Sequence, residues 1–156
     1  LRTVTGVQTC ALPIYYRDIV RETGIEALPG VRAFLEQLRD AGVPRAVGSS
    51  TPRENIDLVV KLLGLEEFFP EIVAAGDVTH GKPDPQVFLL GAQRLDVPPH
   101  RCVVFEDAPV GIEAARRAGM KVVGVATTHA LDKLQDANRI VQRLDELRPA
   151  DCRALL

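Results

Sequence analysis

Tryptophan is missing from this 156-residue chain, and only two tyrosines and five phenylalanines supply its aromatic rings. A core so poor in rings must be filled with Val, Leu, Ile and Ala, the composition of sheets covered on both faces, which favours an α/β architecture. Cysteine is scarce as well. Cys10, Cys102 and Cys152 are odd in number, far apart and without a Cys-x-x-Cys pair, which excludes a disulfide framework and points to a reducing, cytoplasmic setting. No stretch approaches the roughly 18 apolar residues of a membrane span, and the charged-then-apolar layout of a signal peptide is absent. Nor does charge of one sign accumulate: 19 basic residues face 21 acidic ones, for a net charge of −2. Such a balance gives no strong hold on nucleic acid or an anionic membrane. The glycines compose neither a Gly-x-Gly-x-x-Gly nor a Walker pattern, and His80, His100 and His129 lack metal-ligand spacing, so dinucleotide, P-loop and zinc readings have no support.

What is present fits one globular domain, or a core plus a fragment, with 46% hydrophobic and 26% charged residues close to the usual averages. Residues 1–14, LRTVTGVQTCALPI, show neither strand alternation nor a helical stripe and differ in tone from the charged, periodic sequence beyond them. From Tyr15 the pattern is regular. YYRDIVRETG reads as a short helix ended by Gly24, and PGVRAFLEQLRDAG as a second, with Val31, Phe34, Leu35 and Leu38 on one face and Gly42 as its stop. Val43 to Gly48 reads as a strand, followed by Thr51, Pro52 and Glu54 at capping-box spacing ahead of a helix through IDLVVKLLG. EIVAAG is the next strand, and Asp84-Pro85 opens a helix containing Val87, Phe88, Leu89, Leu90 and Leu95. RCVVFED, VGIEAARRAG and KVVGVAT continue as strand, helix and strand, with a weaker strand near Ile140-Val141 and short helical pieces beyond it.

Such alternation predicts a parallel sheet with helices on both faces, and its active site belongs at the C-terminal ends of the strands. Three polar positions come directly after predicted strands: Ser49, Lys82 and the pair Glu106-Asp107. A hydroxyl, an ammonium and two carboxylates on one rim suit phosphoryl transfer, which depends on positioning and on offsetting the charge of the phosphoryl oxygens. Ser49, near a helix start, is placed to donate to a phosphoryl oxygen. Lys82 is placed to offset charge. Glu106 and Asp107 have the hard oxygens that Mg²⁺ takes, usually one or two carboxylates with waters and substrate oxygens. Read singly, each is as well explained by a turn serine, a loop lysine or an acidic helix start; their joint placement carries the argument.

The ordered set AVGSSTPREN, GKPDPQVFLLGAQRL and VVFEDAPVGIEAARRAGM resembles the haloacid dehalogenase superfamily, most closely its β-phosphoglucomutase-like phosphatase branch, over about residues 28–147. The resemblance implies a Rossmann-like core, an Mg²⁺ requirement and an aspartyl-phosphate intermediate. It assigns the motif-two hydroxyl to Ser49, the motif-three lysine to Lys82 and the metal-side acids to Glu106 and Asp107. Ser50, Thr51 and Arg53 fall where members shape the phosphate pocket, and the implied partner is a small phosphorylated metabolite.

One departure is large. The family's first motif is a strand followed by Asp-x-Asp, its first aspartate attacking phosphorus and its second acting as acid and base. No two aspartates here are two positions apart. Residues 15–27 resemble the last helix of the family's helical cap and residues 28–156 its core, so the expectation is a core lacking the usual first strand and most of the cap, and inactive as it stands. Residues 1–14 read as a non-family, artefactual segment, although RTVTGV is β-branched enough to take a strand position. A sugar-phosphate mutase of the β-phosphoglucomutase kind and a non-catalytic phosphate- or partner-binding module are the alternative functions. Substrate identity and oligomeric state stay open.

Overall fold

A computed structural model describes residues 11–156; the strand position considered for RTVTGV lies outside them. Along the described residues six helices and five strands alternate. They run α1 (Ala11–Thr23), α2 (Val31–Asp40), β1 (Ala46–Gly48), α3 (Arg53–Leu62), β2 (Glu71–Val73), α4 (Gln86–Arg94), β3 (Val103–Glu106), α5 (Pro109–Arg117), β4 (Lys121–Val125), β5 (Arg139–Val141) and α6 (Pro149–Leu155). Each strand pair among them is parallel, as the α/β alternation requires, since parallel neighbours need a helical crossover.

The strands form two leaves rather than one sheet: β1 pairs with β2, and β3, β4 and β5 form a separate three-stranded ladder. Alternation along each strand sends successive residues to opposite faces. On one face Val73, Val104 and Val122 pack with Val87, Phe88 and Ala92 of α4 and with Ile112, Ala114 and Ala115 of α5. On the other face α2 straddles the division. Its Leu35 packs with Ile56, Val60 and Ile72 beside the two-stranded leaf, while Phe34 and Leu38 pack with Val123 and Val141 of the three-stranded one. The helical stripe expected for α2 is therefore real, and one turn of it serves both leaves. Fully burying such side chains is worth about 1.5–3 kcal/mol each, so this helix is a principal joint between the leaves.

Several boundaries depart from the expected ones for local reasons. Helix α1 begins at Ala11, four residues ahead of the expected start at Tyr15. The strand expected from Val43 is confined to Ala46–Gly48, because the Arg45 guanidinium donates to the Val43 carbonyl at 2.7 Å and to the Phe68 carbonyl at 2.8 Å. The EIVAAG strand stops at Val73, where the Asp77 carboxylate accepts the Ala74 N–H at 2.8 Å and folds the chain into a 3₁₀ turn. That N–H, and then Arg94, holds the Asp77 carboxyl below its ordinary value. The capping box at Thr51 does not form. Pro52 is the N-cap of α3 and no side chain caps that helix; the Thr51 N–H instead donates to the Ser49 hydroxyl oxygen at 3.2 Å. The cap expected at Asp84 falls one residue later, at Pro85, and α4 starts at Gln86 with no side-chain cap; Asp84 stands just ahead of it, its Oδ1 accepting the Gln86 N–H at 2.9 Å. Among the described residues no helix is long and apolar enough to cross a membrane.

Candidate active site at the facing ends of two leaves

The C-terminal ends of β1 and β3 bring Gly48, Lys82 and Glu106 together at one rim. Lys82 reaches this rim from the loop before α4, just ahead of a cis bond to Pro83. Its Nζ donates to the Gly48 carbonyl at the end of β1, 3.2 Å away, and pairs with Oε1 of Glu106, the last residue of β3. One ammonium thus bridges both leaves, and β1 and β3 are the edges that face each other. The Lys82 and Glu106 side chains are only 13% and 9% exposed, so their attraction acts in a low-dielectric setting and removal of either partner leaves a costly buried charge. The Lys82 ammonium also stands 4.7 Å from the centroid of the Phe88 ring, within the range of a cation–π contact.

Glu106 is held from behind by the start of α5. A Cβ at Gly111 would overlap the carboxylate carbon and both oxygens of Glu106, so only glycine lets the helix approach this closely. Asp107, next in sequence, points elsewhere. Its Oδ2 accepts the Thr128 hydroxyl, and its carbonyl oxygen lies 2.9 Å from Nδ1 of His129. It joins no ion pair among the described residues. Neighbours in sequence therefore have separate employment: Glu106 is committed to Lys82, while Asp107 keeps Oδ1 unengaged among the described residues.

The remaining candidates surround the β1 side. Ser49 is half-buried and its N–H extends the ladder to the Val73 carbonyl at 2.9 Å. Its Oγ accepts the Thr51 N–H, which leaves the hydroxyl proton available to a ligand. Ser50 is exposed, and the Thr51 carbonyl accepts the Ala75 N–H at 3.1 Å. Arg53 turns away along the surface of α3 and pairs with Asp57 at 2.8 Å, the contact that raises its guanidinium pKa. Asn55, a buried polar residue in the first turn of α3, accepts from Arg17 of α1 at 3.1 Å. Sequence reasoning missed Thr128, His129, Asn55 and the Phe88 contact, because each joins through a partner distant along the chain. The pair of threonines directly after the KVVGVA strand was the one local signal for Thr128.

The residues present test the fit of a divalent ion. Among the described residues no group of three or more His, Cys, Asp or Glu side chains could hold a metal ion. One free carboxylate oxygen on Asp107 and a second carboxylate beside it nevertheless match the chemistry of Mg²⁺, which keeps several waters and takes few protein ligands. The fit is that of half a site.

The profile of the haloacid dehalogenase-like hydrolases matches residues 3–119. A chloroplastic 5-amino-6-(5-phospho-D-ribitylamino)uracil phosphatase from Arabidopsis thaliana is 42% identical over 126 residues, covering 81% of this chain and 34% of that protein. A validoxylamine A 7'-phosphate phosphatase from Streptomyces hygroscopicus subsp. limoneus is 35% identical, covering 90% of the chain and 66% of the relative. The crystal structure of a β-phosphoglucomutase from Clostridium difficile superposes with a TM-score of 0.79 at 30% identity, over 90% of this chain and 61% of that one. The chain therefore spans from a third to two thirds of the length of these relatives. With the profile spanning the two-stranded leaf, β3 and α5 as far as Gly119 and the superposition covering 90% of the chain, the chain belongs to the haloacid dehalogenase-like hydrolases.

Proposed function

We propose that this chain is the core of an Mg²⁺-dependent phosphatase of small phosphate monoesters, which works through an aspartyl-phosphate whose aspartate this sequence does not supply. The observation that carries the reading is the Lys82 bridge. An ammonium pinned between Gly48 of β1 and Glu106 of β3 sits over the division between the leaves, where a strand bearing the nucleophile would end. There it offsets charge on an attacking carboxylate and on the phosphoryl oxygens, the kind of fixed electrostatic support that phosphoryl transfer relies on. The Ser49 hydroxyl, its oxygen already accepting the Thr51 N–H, and the backbone N–H of Ser50 receive a phosphoryl oxygen on the β1 side. Arg53 joins them only by leaving Asp57.

In this reading Asp107 offers a direct oxygen to the cation, and Glu106 is the acid beside it that also fixes Lys82. Bound Mg²⁺ would neutralise phosphoryl charge; holding and orienting the phosphate is the work of Ser49, Lys82 and the loop between β1 and α3. The phosphorylated small molecules in the names of the two relatives above support a phosphorylated metabolite as substrate.

The chain alone should release no phosphate from p-nitrophenyl phosphate or sugar phosphates with Mg²⁺. Joining an apolar strand, Asp-x-Asp and a helical cap ahead of Tyr15 should restore turnover, and Asp107→Ala in that extended protein should abolish the Mg²⁺-dependent part. Restored turnover that survives Asp107→Ala, or that needs no divalent ion, would remove Asp107 from its role. Likeness to a β-phosphoglucomutase supports a sugar-phosphate mutase as the second reading. The same extended protein separates the two, because a mutase returns an isomeric sugar phosphate where a phosphatase releases inorganic phosphate. Metal-independent phosphate binding without either product would favour a binding module.

A further inference from the structure

The loop after β4 contributes a residue that the phosphatase reading does not use. At the end of that strand the Ala126 N–H still bonds to the Val141 carbonyl at 2.8 Å, and the next N–H, of Thr127, turns back to the Val125 carbonyl at 2.8 Å. A three-residue turn of this kind reverses the chain within one step and carries it across the end of β3. Thr128 then donates to Oδ2 of Asp107, and His129 Nδ1 comes within 2.9 Å of the Asp107 carbonyl oxygen. Side chain and main chain of one residue are thus gripped by consecutive residues of another strand's loop.

Asp107 has no other evident employment among the described residues. It precedes α5, yet the N-cap of that helix is Ala108 and no side chain caps it. It takes no part in the Lys82 pair, which belongs to Glu106. A carboxylate that neither caps a helix nor joins an ion pair, but has one oxygen tied down by a hydroxyl, is oriented rather than neutralised.

We propose that Thr128 is a positioning residue for Asp107: by occupying Oδ2 it fixes the carboxylate with Oδ1 presented to a hard divalent cation at the rim. The proposal deepens the phosphatase reading and rests on Asp107 as the cation's carboxylate. It accords with the general behaviour of metal sites, where groups hydrogen-bonded to a ligand set its orientation and their loss costs about 10–100-fold in affinity.

Mn²⁺ alone, titrated into the 156-residue chain and monitored by the electron paramagnetic resonance signal of the free ion, tests this without turnover. Mn²⁺ shares the oxygen preference of Mg²⁺. The unsubstituted chain and Thr128→Ser should bind alike, Thr128→Val should bind about ten-fold more weakly, and Asp107→Asn should lose the site. Thr128→Val binding as tightly as the unsubstituted chain, or more tightly, overturns the positioning role while leaving Asp107 in place. So does Thr128→Ser remaining as weak as the valine variant, because the hydroxyl is then not what matters. Unchanged binding in Asp107→Asn, or no Mn²⁺ bound by the unsubstituted chain, overturns the reading of Asp107 itself. A Thr128 that merely pinned the loop would lower the metal-free thermal midpoint in the valine variant and leave Mn²⁺ affinity unmoved.

Discussion

Replacing Gly111 with alanine should destabilise the protein, although the position lies in a helix where that change ordinarily helps. Alanine is favoured over glycine inside a helix by about 1 kcal/mol. Against this, the added Cβ would overlap the carboxylate carbon and both oxygens of Glu106. Glu106 cannot simply retreat, because its side chain is 9% exposed and bound to Lys82. Overpacking costs about 1–3 kcal/mol, and separating the ion pair to escape it costs more. With about 3 kcal/mol lost and about 1 kcal/mol gained, the net loss is about 2 kcal/mol, or roughly 4–8 °C in thermal midpoint for a chain of this length. Gly91 is the control. It also lies in a helix, but there the new Cβ would meet only Val73 Cγ2, at 3.9 Å, so Gly91→Ala should gain about 0.4–1 kcal/mol. Scanning calorimetry of both variants should give shifts of opposite sign. In a Glu106→Ala background, Gly111→Ala should turn stabilising, since the overlap is gone. Shifts of the same sign for the two glycines, or no reversal in that background, would show that Glu106 is free to move and that the Lys82 bridge is not rigid.

Lys82→Met should cost about 3–5 kcal/mol by leaving Glu106 buried and unpaired, whereas Lys82→Met with Glu106→Gln should recover most of it; urea titrations of the four proteins measure the coupling, and additive losses would refute it. Acid should weaken the fold through Asp77 and Asp151. The first is lowered by the Ala74 N–H and then Arg94, the second by Arg139 and then the Arg148 N–H. Because both folded values are depressed, their contribution is present above the unfolded aspartate value of about 3.9 and is lost as pH falls through the lower folded values. Urea midpoints from pH 6 down to about 2 should therefore decline chiefly below about 4, and the decline should shrink in Asp77→Asn with Asp151→Asn.

The elements easiest to foresee are those whose cause lies within a few residues. Helices α2 and α5 arise from apolar stripes closed by Gly42 and Gly119, both of which adopt positive φ, 65° and 73°. The runs around Val103–Glu106 and Lys121–Val125 are strands because both of their faces are covered, and the polar residues just beyond strand ends land on one rim because parallel topology leaves them nowhere else. Distant partners defeat local reading. Arg45 trims β1 by taking carbonyls at Val43 and Phe68. Ser49 and Ala75 claim the backbone that a Thr51 box would have used. Glu106 and Asp107, read as a pair of equal acids, are set to different tasks by Lys82 and Thr128, 24 and 21 residues away.

The straddling position of α2 bears on how the molecule comes apart. Each leaf has its own ladder of backbone bonds, and no described bond of either ladder crosses to the other. Cooperativity between them must pass through side chains: Leu35 on one side of α2, Phe34 and Leu38 on the other, the α4–α5 layer beneath and the Lys82 bridge at the rim. If α2 detaches, the two-stranded leaf keeps α3 and α4 but loses Leu35 and the tie that this helix makes to Val123 and Val141 of the other leaf, and it becomes the natural unit of partial opening. The helix thus decides whether amide exchange in β1 and β2 reports the loosening of one leaf or the unfolding of the whole.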